Sequence, residues 1–173
     1  MSVATKLKEY LDDNRVKYDV LTHEIAYTAQ DTAAAAHVSG KELAKSVVVG
    51  ADARFVLAIL PAPLKVDLER LKEVLNAKEV RLAQESEFSS LFPGCDRGAM
   101  PPFGNLYGID VYVDESLTRD EEIVFNACTH VDAIRMKYRD FERLAKPRVG
   151  AFASGEGLGQ EARCVDGSIG SSV

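Results

Sequence analysis

Two stretches of the chain carry residues that can hold a small polar ligand. Lys45 stands directly before Ser46 and the apolar run Val47–Val49, which is typical of an interior strand. Far downstream, the loop Gly98–Gly104 combines two glycines with two prolines, so it fits neither a helix nor a central strand. Backbone amides in such a stiff loop can approach a carbonyl or carboxylate closely at little cost in entropy. On these residues alone, the simpler interpretations are that the loop is an ordinary turn and that the side chain of Lys45 extends to water, without any ligand.

The remaining chemistry-bearing residues restrict the possible reactions. His23, His37 and His130 show no H-x-x-x-H spacing, so the sequence does not predict a catalytic zinc site. No Gly-x-Ser-x-Gly elbow, Walker sequence or dinucleotide fingerprint is present, which removes support for a serine triad, ATP or NAD. We therefore expect no metal and no cofactor. What remains is hydrolysis of an already activated bond by a positioned water molecule.

Three stretches, in this order and at this spacing, resemble one known family. They are Gly40–Val49, Gly98–Gly104 and Phe125–His130. The sequence is similar over roughly residues 3–149 to the prolyl-tRNA synthetase-associated editing domain, the YbaK/ProX-type family of aminoacyl-tRNA deacylases. One departure is Cys128, since the family often has glycine at that position.

The resemblance implies roles for particular residues. It implies that Lys45 binds near the aminoacyl-adenosine end of a tRNA and that the glycine-proline loop lies against the aminoacyl group. Lys45 would stabilise developing charge, while the amides around Gly98, Ala99 and Gly104 would orient the ester. His130 would position the attacking water or contact the substrate amine, although a packed histidine at a strand boundary is the alternative. The candidate substrate-binding residues are Ser46, Gly98, Ala99, Met100, Pro101, Pro102, Phe103, Gly104, Tyr27 and Thr28.

The function implied by the resemblance is trans-editing of mischarged tRNA. A small editing pocket excludes larger amino acids, so alanyl, cysteinyl and seryl esters are all compatible substrates. The expected partners are the acceptor end of aminoacyl-tRNA and an aminoacyl-tRNA synthetase. Two other classes stay open: a noncatalytic module that binds tRNA or a synthetase, and a hydrolase of another small acyl ester.

Charge argues against a protein that coats nucleic acid. The 173 residues carry a net charge of −6, but the segment 135–148 contains six basic and two acidic residues, a local charge of +4. A solvated helix face would look similar. With the family resemblance, this segment becomes the first candidate for tRNA contact.

Composition predicts where the protein works and how its cysteines behave. With 46% hydrophobic and 28% charged residues, the chain is long enough to bury a core. No apolar run approaches the roughly 18 residues of a membrane span, and no signal-peptide core is present, so we expect a cytoplasmic protein without membrane contact. Cys95, Cys128 and Cys164 show no close pair and no metal spacing, which predicts free thiols.

The order of elements predicts a mixed α/β (α+β) fold. Helices are expected near residues 2–13, 28–39, 67–75, 86–91 and 138–145, and strands near 17–23, 47–50, 54–60, 79–82, 108–113, 121–126 and 131–137. Closely spaced strands favour a largely antiparallel sheet or barrel flanked by helices. We expect one domain over residues 1–152 and a flexible Gly/Ser-rich tail over residues 153–173.

Overall fold

The computed structural model describes residues 3–22, 42–92, 95–96 and 99–155. The helix predicted over residues 28–39 lies outside these ranges, as do the candidate residues Tyr27, Thr28 and Gly98. The predicted tail is outside them from residue 156 onward. Within the described ranges, none of the helices has the length and apolar character needed to cross a lipid bilayer.

Most elements begin and end within a few residues of the predicted bounds. The helices are α1 (Val3–Asp13), α2 (Leu68–Leu75), α3 (Glu85–Phe88) and α4 (Tyr138–Ala145). The strands are β1 (Tyr18–Thr22), β2 (Ala44–Ala51), β3 (Arg54–Pro61), β4 (Lys65–Val66), β5 (Val80–Leu82), β6 (Asp110–Asp114), β7 (Glu122–Asn126), β8 (Asp132–Lys137), β9 (Arg148–Gly150) and β10 (Ala153–Ser154). The short strands β4, β9 and β10 were not predicted.

The described strands form two main sheets. The larger has the order β5-β2-β3-β6-β9, and the smaller has the order β1-β8-β7. A two-stranded pair joins β10 to β4. Most pairs are antiparallel, but β3 pairs with β6, and β6 with β9, in parallel. The predicted class, a mixed and largely antiparallel sheet flanked by helices, is confirmed.

Local sequence explains the hairpin and the second helix. Strands β2 and β3 pair in a continuous register from Ala44 opposite Pro61 to Ala51 opposite Arg54. Asp52 adopts φ 53° at the turn, which aspartate tolerates better than most residues. Asp67 caps α2 through its carboxylate, which accepts hydrogen bonds from the amides of Glu69 and Arg70.

The main core lies between the two sheets and is centred on aromatic side chains. Phe103 is fully buried and makes edge contacts with Tyr10 of α1, Phe125 of β7 and Phe141 of α4, at ring-centroid distances of 6.2, 5.7 and 5.4 Å. Such contacts add to the stability gained from burial alone. The glycine-proline loop is therefore built into the core at Phe103.

The C-terminal end of the described chain is held by a buried carboxylate. Asp114 accepts hydrogen bonds from the amides of Phe152 (2.9 Å), Ala153 (2.8 Å) and Ser116 (3.0 Å). Burial alone would raise the pKa of Asp114, but the hydrogen bonds from Ser116, Phe152 and Ala153 outweigh it and hold the pKa below its ordinary value. Because Ala153 and Ser154 pair with β4, ordered structure continues two residues past the boundary drawn from the sequence.

Candidate active site

Strand β7 and the turn that follows it contact the segments of the other two sequence motifs. The amide of Val124 donates to the carbonyl of Glu42 at 3.0 Å, and Leu43 and Val124 form a parallel bridge, which brings the Lys45 segment alongside β7. A few residues further along the chain, the amide of Cys128 donates to the carbonyl of Ala99 at 2.9 Å, and the amide of Asp96 donates to the carbonyl of Cys128 at 2.9 Å. Backbone hydrogen bonds thus join segments that are far apart in sequence.

The glycine-proline loop is buried from Ala99 to Gly104. Gly104 packs so closely on the next strand that a Cβ there would lie 2.5 Å from the carbonyl oxygen of Ile109 and 2.8 Å from Cγ2 of Val111. Glycine is therefore required at this position for steric reasons. The carbonyl of Gly104 also accepts from the amides of Tyr107 and Ile109, which closes the loop after Phe103.

One amide of the loop is already paired within it. The amide of Ala99 donates to the carbonyl of Asp96 at 3.1 Å. The side chains of Met100 and Phe103 belong to the main core. In the described part of the chain, the amides of Met100, Phe103 and Gly104 donate to no backbone carbonyl, and these are the loop's remaining candidate donors.

The structure overturns the expectation of free thiols for two of the cysteines. Cys95 and Cys128, 33 residues apart in sequence, form a disulfide with their Cα atoms 4.2 Å apart. The pair forms because the hydrogen bond between Asp96 and Cys128 brings the two backbones together, a contact that sequence spacing does not reveal. Cys128 has φ 73°, the left-handed backbone that favours glycine, which agrees with the glycine that the family often has there.

A half-buried tyrosine, Tyr107, contacts this disulfide. The hydroxyl of Tyr107 lies 3.8 Å from the sulfur of Cys95 and 3.8 Å from that of Cys128. Its ring is tilted against Phe92 at a centroid distance of 4.7 Å. Burial raises the pKa of Tyr107 to about 12, so this hydroxyl keeps its proton at physiological pH.

Lys45 and Ser46 lie on opposite faces of β2. Lys45 is half-buried and pairs in register with Leu60 of β3. Its face is shared with Leu43, which packs with Ala62, Val124 and Ala133 in a small apolar cluster. Ser46 points the other way, towards the main core, and its hydroxyl oxygen is buried with no hydrogen-bond partner in the part of the chain that the structure describes.

His130 occupies the turn that connects β7 to β8. The amide of Ala127 donates to the carbonyl of Asp132 at 3.0 Å, and the hydroxyl of Thr129 donates to the carboxylate of Asp132 at 3.0 Å. That hydroxyl also accepts from the amides of Val131 and Asp132, which fixes the turn from both sides. His130 is half-buried within this rigid turn, two residues after Cys128.

Sequence reasoning missed Asn126, the last residue of β7. Its side-chain oxygen is buried without a hydrogen-bond partner in the described ranges, and the residue pairs in register with Ala133. A buried polar atom left unpaired is uncommon in folded proteins. The only sequence signal was its place within the motif Phe125–His130, because an asparagine at a strand end is equally typical of a turn.

The basic segment 135–148 does not form one uniform positive face. Arg143 lies 3.5 Å from Asp140, and Arg148 lies over the ring of Tyr112, 5.9 Å from its centroid. Lys137 and Arg139 instead line a cleft of about 350 Å³ together with three carboxylates, so the lining is net acidic. The other lining residues are Thr118, Asp120, Glu121, Tyr138 and Glu142. This cleft is electrostatically unsuited to a phosphate backbone and contains none of the candidate catalytic residues.

Comparison with known proteins decides the family. Residues 23–144 match the model of the aminoacyl-tRNA editing domain. The chain belongs to the aminoacyl-tRNA editing domain family. Membership confirms the resemblance drawn from the three motifs, all of which lie within the matched residues.

Two curated proteins are similar in sequence to part of this chain. The Multifunctional Ser/Thr-tRNA deacylase ProXp-y of Escherichia coli (strain K12) is 35% identical over 98 residues, a stretch that covers 56% of this chain and 58% of that protein. The proline–tRNA ligase of Bacillus velezensis is 28% identical over 109 residues, which cover 63% of this chain and 18% of the ligase.

Solved structures of low sequence identity share the fold of this editing domain. The hypothetical protein APE2540 gives a TM-score of 0.78 at 20% identity and covers 86% of this chain and 99% of its own. A candidate trans-editing enzyme for prolyl tRNA synthetase gives a TM-score of 0.76 at 21% identity, with 90% of this chain and 99% of that chain covered.

Proposed function

We propose that this editing domain is an aminoacyl-tRNA deacylase that acts in trans on tRNA mischarged with a small amino acid. The observation that carries the proposal is the meeting of the Lys45, Ala99 and Cys128 segments at the end of β7. Nothing in the core packing of Phe103 requires a lysine or a histidine nearby. Family membership supplies the substrate class, and the meeting of the motifs supplies a place for the reaction.

The proposed reaction is direct hydrolysis by water. The water oxygen attacks the ester carbonyl carbon, the bond from that carbon to the ribose oxygen breaks, and the ribose oxygen takes up a proton. The products are a free amino acid and tRNA with its terminal hydroxyl restored. In this scheme Lys45 stabilises the oxyanion, His130 holds the water, and the amides of Met100 and Gly104 orient the carbonyl.

Serine is the amino acid we propose first. Alanyl, cysteinyl and seryl esters all suit a small pocket, and the similar deacylase from Escherichia coli is named for serine and threonine. Serine is common to both sets. A pocket that also offers a polar partner to the substrate hydroxyl discriminates far better than one that measures size alone.

The proposed setting is the translation apparatus of the cytoplasm. The similarity to a stretch of a proline–tRNA ligase supports an encounter with a synthetase or with the tRNA that it releases. Arg143 and Lys146, which are exposed within the basic segment 135–148 and lie outside the acidic cleft, are the proposed contacts for the acceptor end.

A panel of charged tRNAs tests the proposal. The purified chain is incubated with seryl-, threonyl-, alanyl-, cysteinyl- and prolyl-tRNA, and the remaining ester is measured over time. Release of serine with little release of proline is the expected result. Binding of tRNA without any hydrolysis would instead support the noncatalytic module, and hydrolysis of simple acyl esters but not of tRNA esters would support the other hydrolase.

A further inference from the structure

Among the residues that the structure describes, the buried side-chain oxygen of Asn126 has no hydrogen-bond partner. A buried acceptor that is left unpaired destabilises the fold, because its contact with water has been lost and not replaced. Such a cost is retained where a ligand supplies the missing donor. At this end of β7 the side-chain oxygen of Asn126 is a buried acceptor without a partner among the described residues, whereas Nε of Arg135, opposite Val124 on β8, is a buried donor without one.

Asn126 lies on the same face of the strands as Lys45. Leu43 of the β2 segment bridges Val124 of β7, and both belong to the small apolar cluster with Ala133. Two residues further along each strand come Lys45 and Asn126, and alternation along a strand puts each on the face of that cluster. The lysine and the unpaired amide oxygen thus border the same apolar patch from neighbouring strands.

The charge of Lys45 determines which donor suits Asn126. An aminoacyl-adenosine offers two hydrogen-bond donors near its ester, the α-ammonium group and the ribose hydroxyl next to the ester oxygen. A second cation beside a half-buried lysine is disfavoured, whereas a neutral hydroxyl is not. The amide oxygen of asparagine accepts a hydrogen bond without adding charge.

We propose that Asn126 is a substrate-binding residue whose amide oxygen accepts a hydrogen bond from the ribose hydroxyl beside the aminoacyl ester. This inference rests on the proposed deacylase function and adds a residue to that site. Asn126 then recognises the ribose of the terminal nucleotide, whichever amino acid is attached to it.

The test compares two seryl-tRNAs, one ending in adenosine and one in the deoxyadenosine that lacks the adjacent hydroxyl. We expect the wild type to prefer the ribose form by about tenfold in kcat/KM, the usual effect of one hydrogen bond. Asn126→Leu should cleave both forms at the same low rate. Asn14→Ala, which removes an amide at the far end of α1, should keep the wild-type preference.

Thermal unfolding supplies a second readout. Asn126→Leu removes the unpaired oxygen at nearly constant volume, so its Tm should rise above that of the wild type while its activity falls. An unchanged ribose preference in this variant, or an equal loss on both substrates with a lowered Tm, would overturn the proposal. The proposal would also be overturned if Asn126→Leu lost the preference for the ribose form only on substrates that carry an α-ammonium group. If the wild type hydrolyses neither seryl-tRNA, the deacylase function has failed, and the role of Asn126 fails with it.

Discussion

The amide of Cys128 donates a 2.9 Å hydrogen bond to the carbonyl of Ala99, and this bond joins the glycine-proline loop to the turn that carries His130. The two residues are also linked indirectly. Cys128 forms a disulfide with Cys95, and the carbonyl of Cys128 accepts from the amide of Asp96. The loop therefore cannot move independently of the histidine turn. Rigidity of this kind is what positioning an ester and a water requires.

Replacing Lys45 with alanine should lower kcat/KM for seryl-tRNA by about 100-fold, the usual effect of removing one stabilising donor from an oxyanion. Unfolding in urea should change little, because Lys45 is half-buried at the edge of an apolar cluster. Lys78→Ala, on the loop before β5, is the matched control and should hydrolyse seryl-tRNA at the wild-type rate. Equal rates for Lys45→Ala and the wild type would remove the lysine from the mechanism.

Replacing His130 with alanine should lower kcat by about 100-fold and leave KM nearly unchanged, since the residue is proposed to hold water in the reaction rather than to bind tRNA. Steady-state kinetics separate the two parameters. His130→Gln keeps a hydrogen-bonding group in the turn and should recover part of kcat. If both variants unfold at a lower temperature and lose kcat in proportion, His130 is a structural residue of the turn.

Replacing Gly104 with alanine should destabilise the fold by about 1 to 3 kcal/mol, because the added methyl overlaps the carbonyl of Ile109 and the side chain of Val111. Urea unfolding measures this loss. Gly108 is the control: it has φ 73° with open space around it, so Gly108→Asn should cost less than Gly104→Ala. The reverse order of stability would contradict the close packing of the loop.

Reducing the disulfide between Cys95 and Cys128 should lower both Tm and deacylase activity. A cross-link between residues 33 apart is expected to stabilise the fold by about 3 to 4 kcal/mol through the entropy of the unfolded chain. Cys95→Ser should reproduce the loss, and the reductant should then have no further effect. Cys164→Ser serves as the control variant. A wild type whose Tm is insensitive to reductant would show that the bond contributes nothing to the fold.

Acid should destabilise the protein through Asp114. Its pKa is lower in the folded state than in the unfolded chain, so its contribution is present above the unfolded value of about 3.9 and is lost as pH falls through the folded pKa. At pH 7, Asp114→Asn should cost about 1.5 to 3 kcal/mol, the range for hydrogen bonds to a charged group. The difference between variant and wild type, measured by urea unfolding, should shrink steadily below pH 4.

The sequence predicts the local elements well because each carries its own signals. The cap at Asp67, the turn at Asp52 and the alternation in β2 lie within a few residues of the structures that they specify. The parallel pairing of β3 with β6 could not be predicted in this way, since residues that meet there are more than fifty positions apart. The very short strands β4 and β10 pair with each other, and Asp114 holds the backbone where β10 begins by accepting from the amides of Phe152 and Ala153.

The features of the candidate site also separate into those that local sequence predicts and those that depend on distant parts of the chain. Motif order identified Lys45, His130 and the loop. It could not identify three features that depend on contacts between distant segments: the paired amide of Ala99, the bond between Cys95 and Cys128, and the unpaired oxygen of Asn126. Residue type and spacing indicate which groups are available. They do not show which groups are already occupied by another part of the chain.

The parallel bridge between Leu43 and Val124 links positions separated by about half the chain. During synthesis on the ribosome, the lysine segment emerges long before the strand against which it must lie. A nascent chain that ends before β7 therefore lacks the strand that the lysine segment contacts, and the proposed site can form only after β7 has been synthesised.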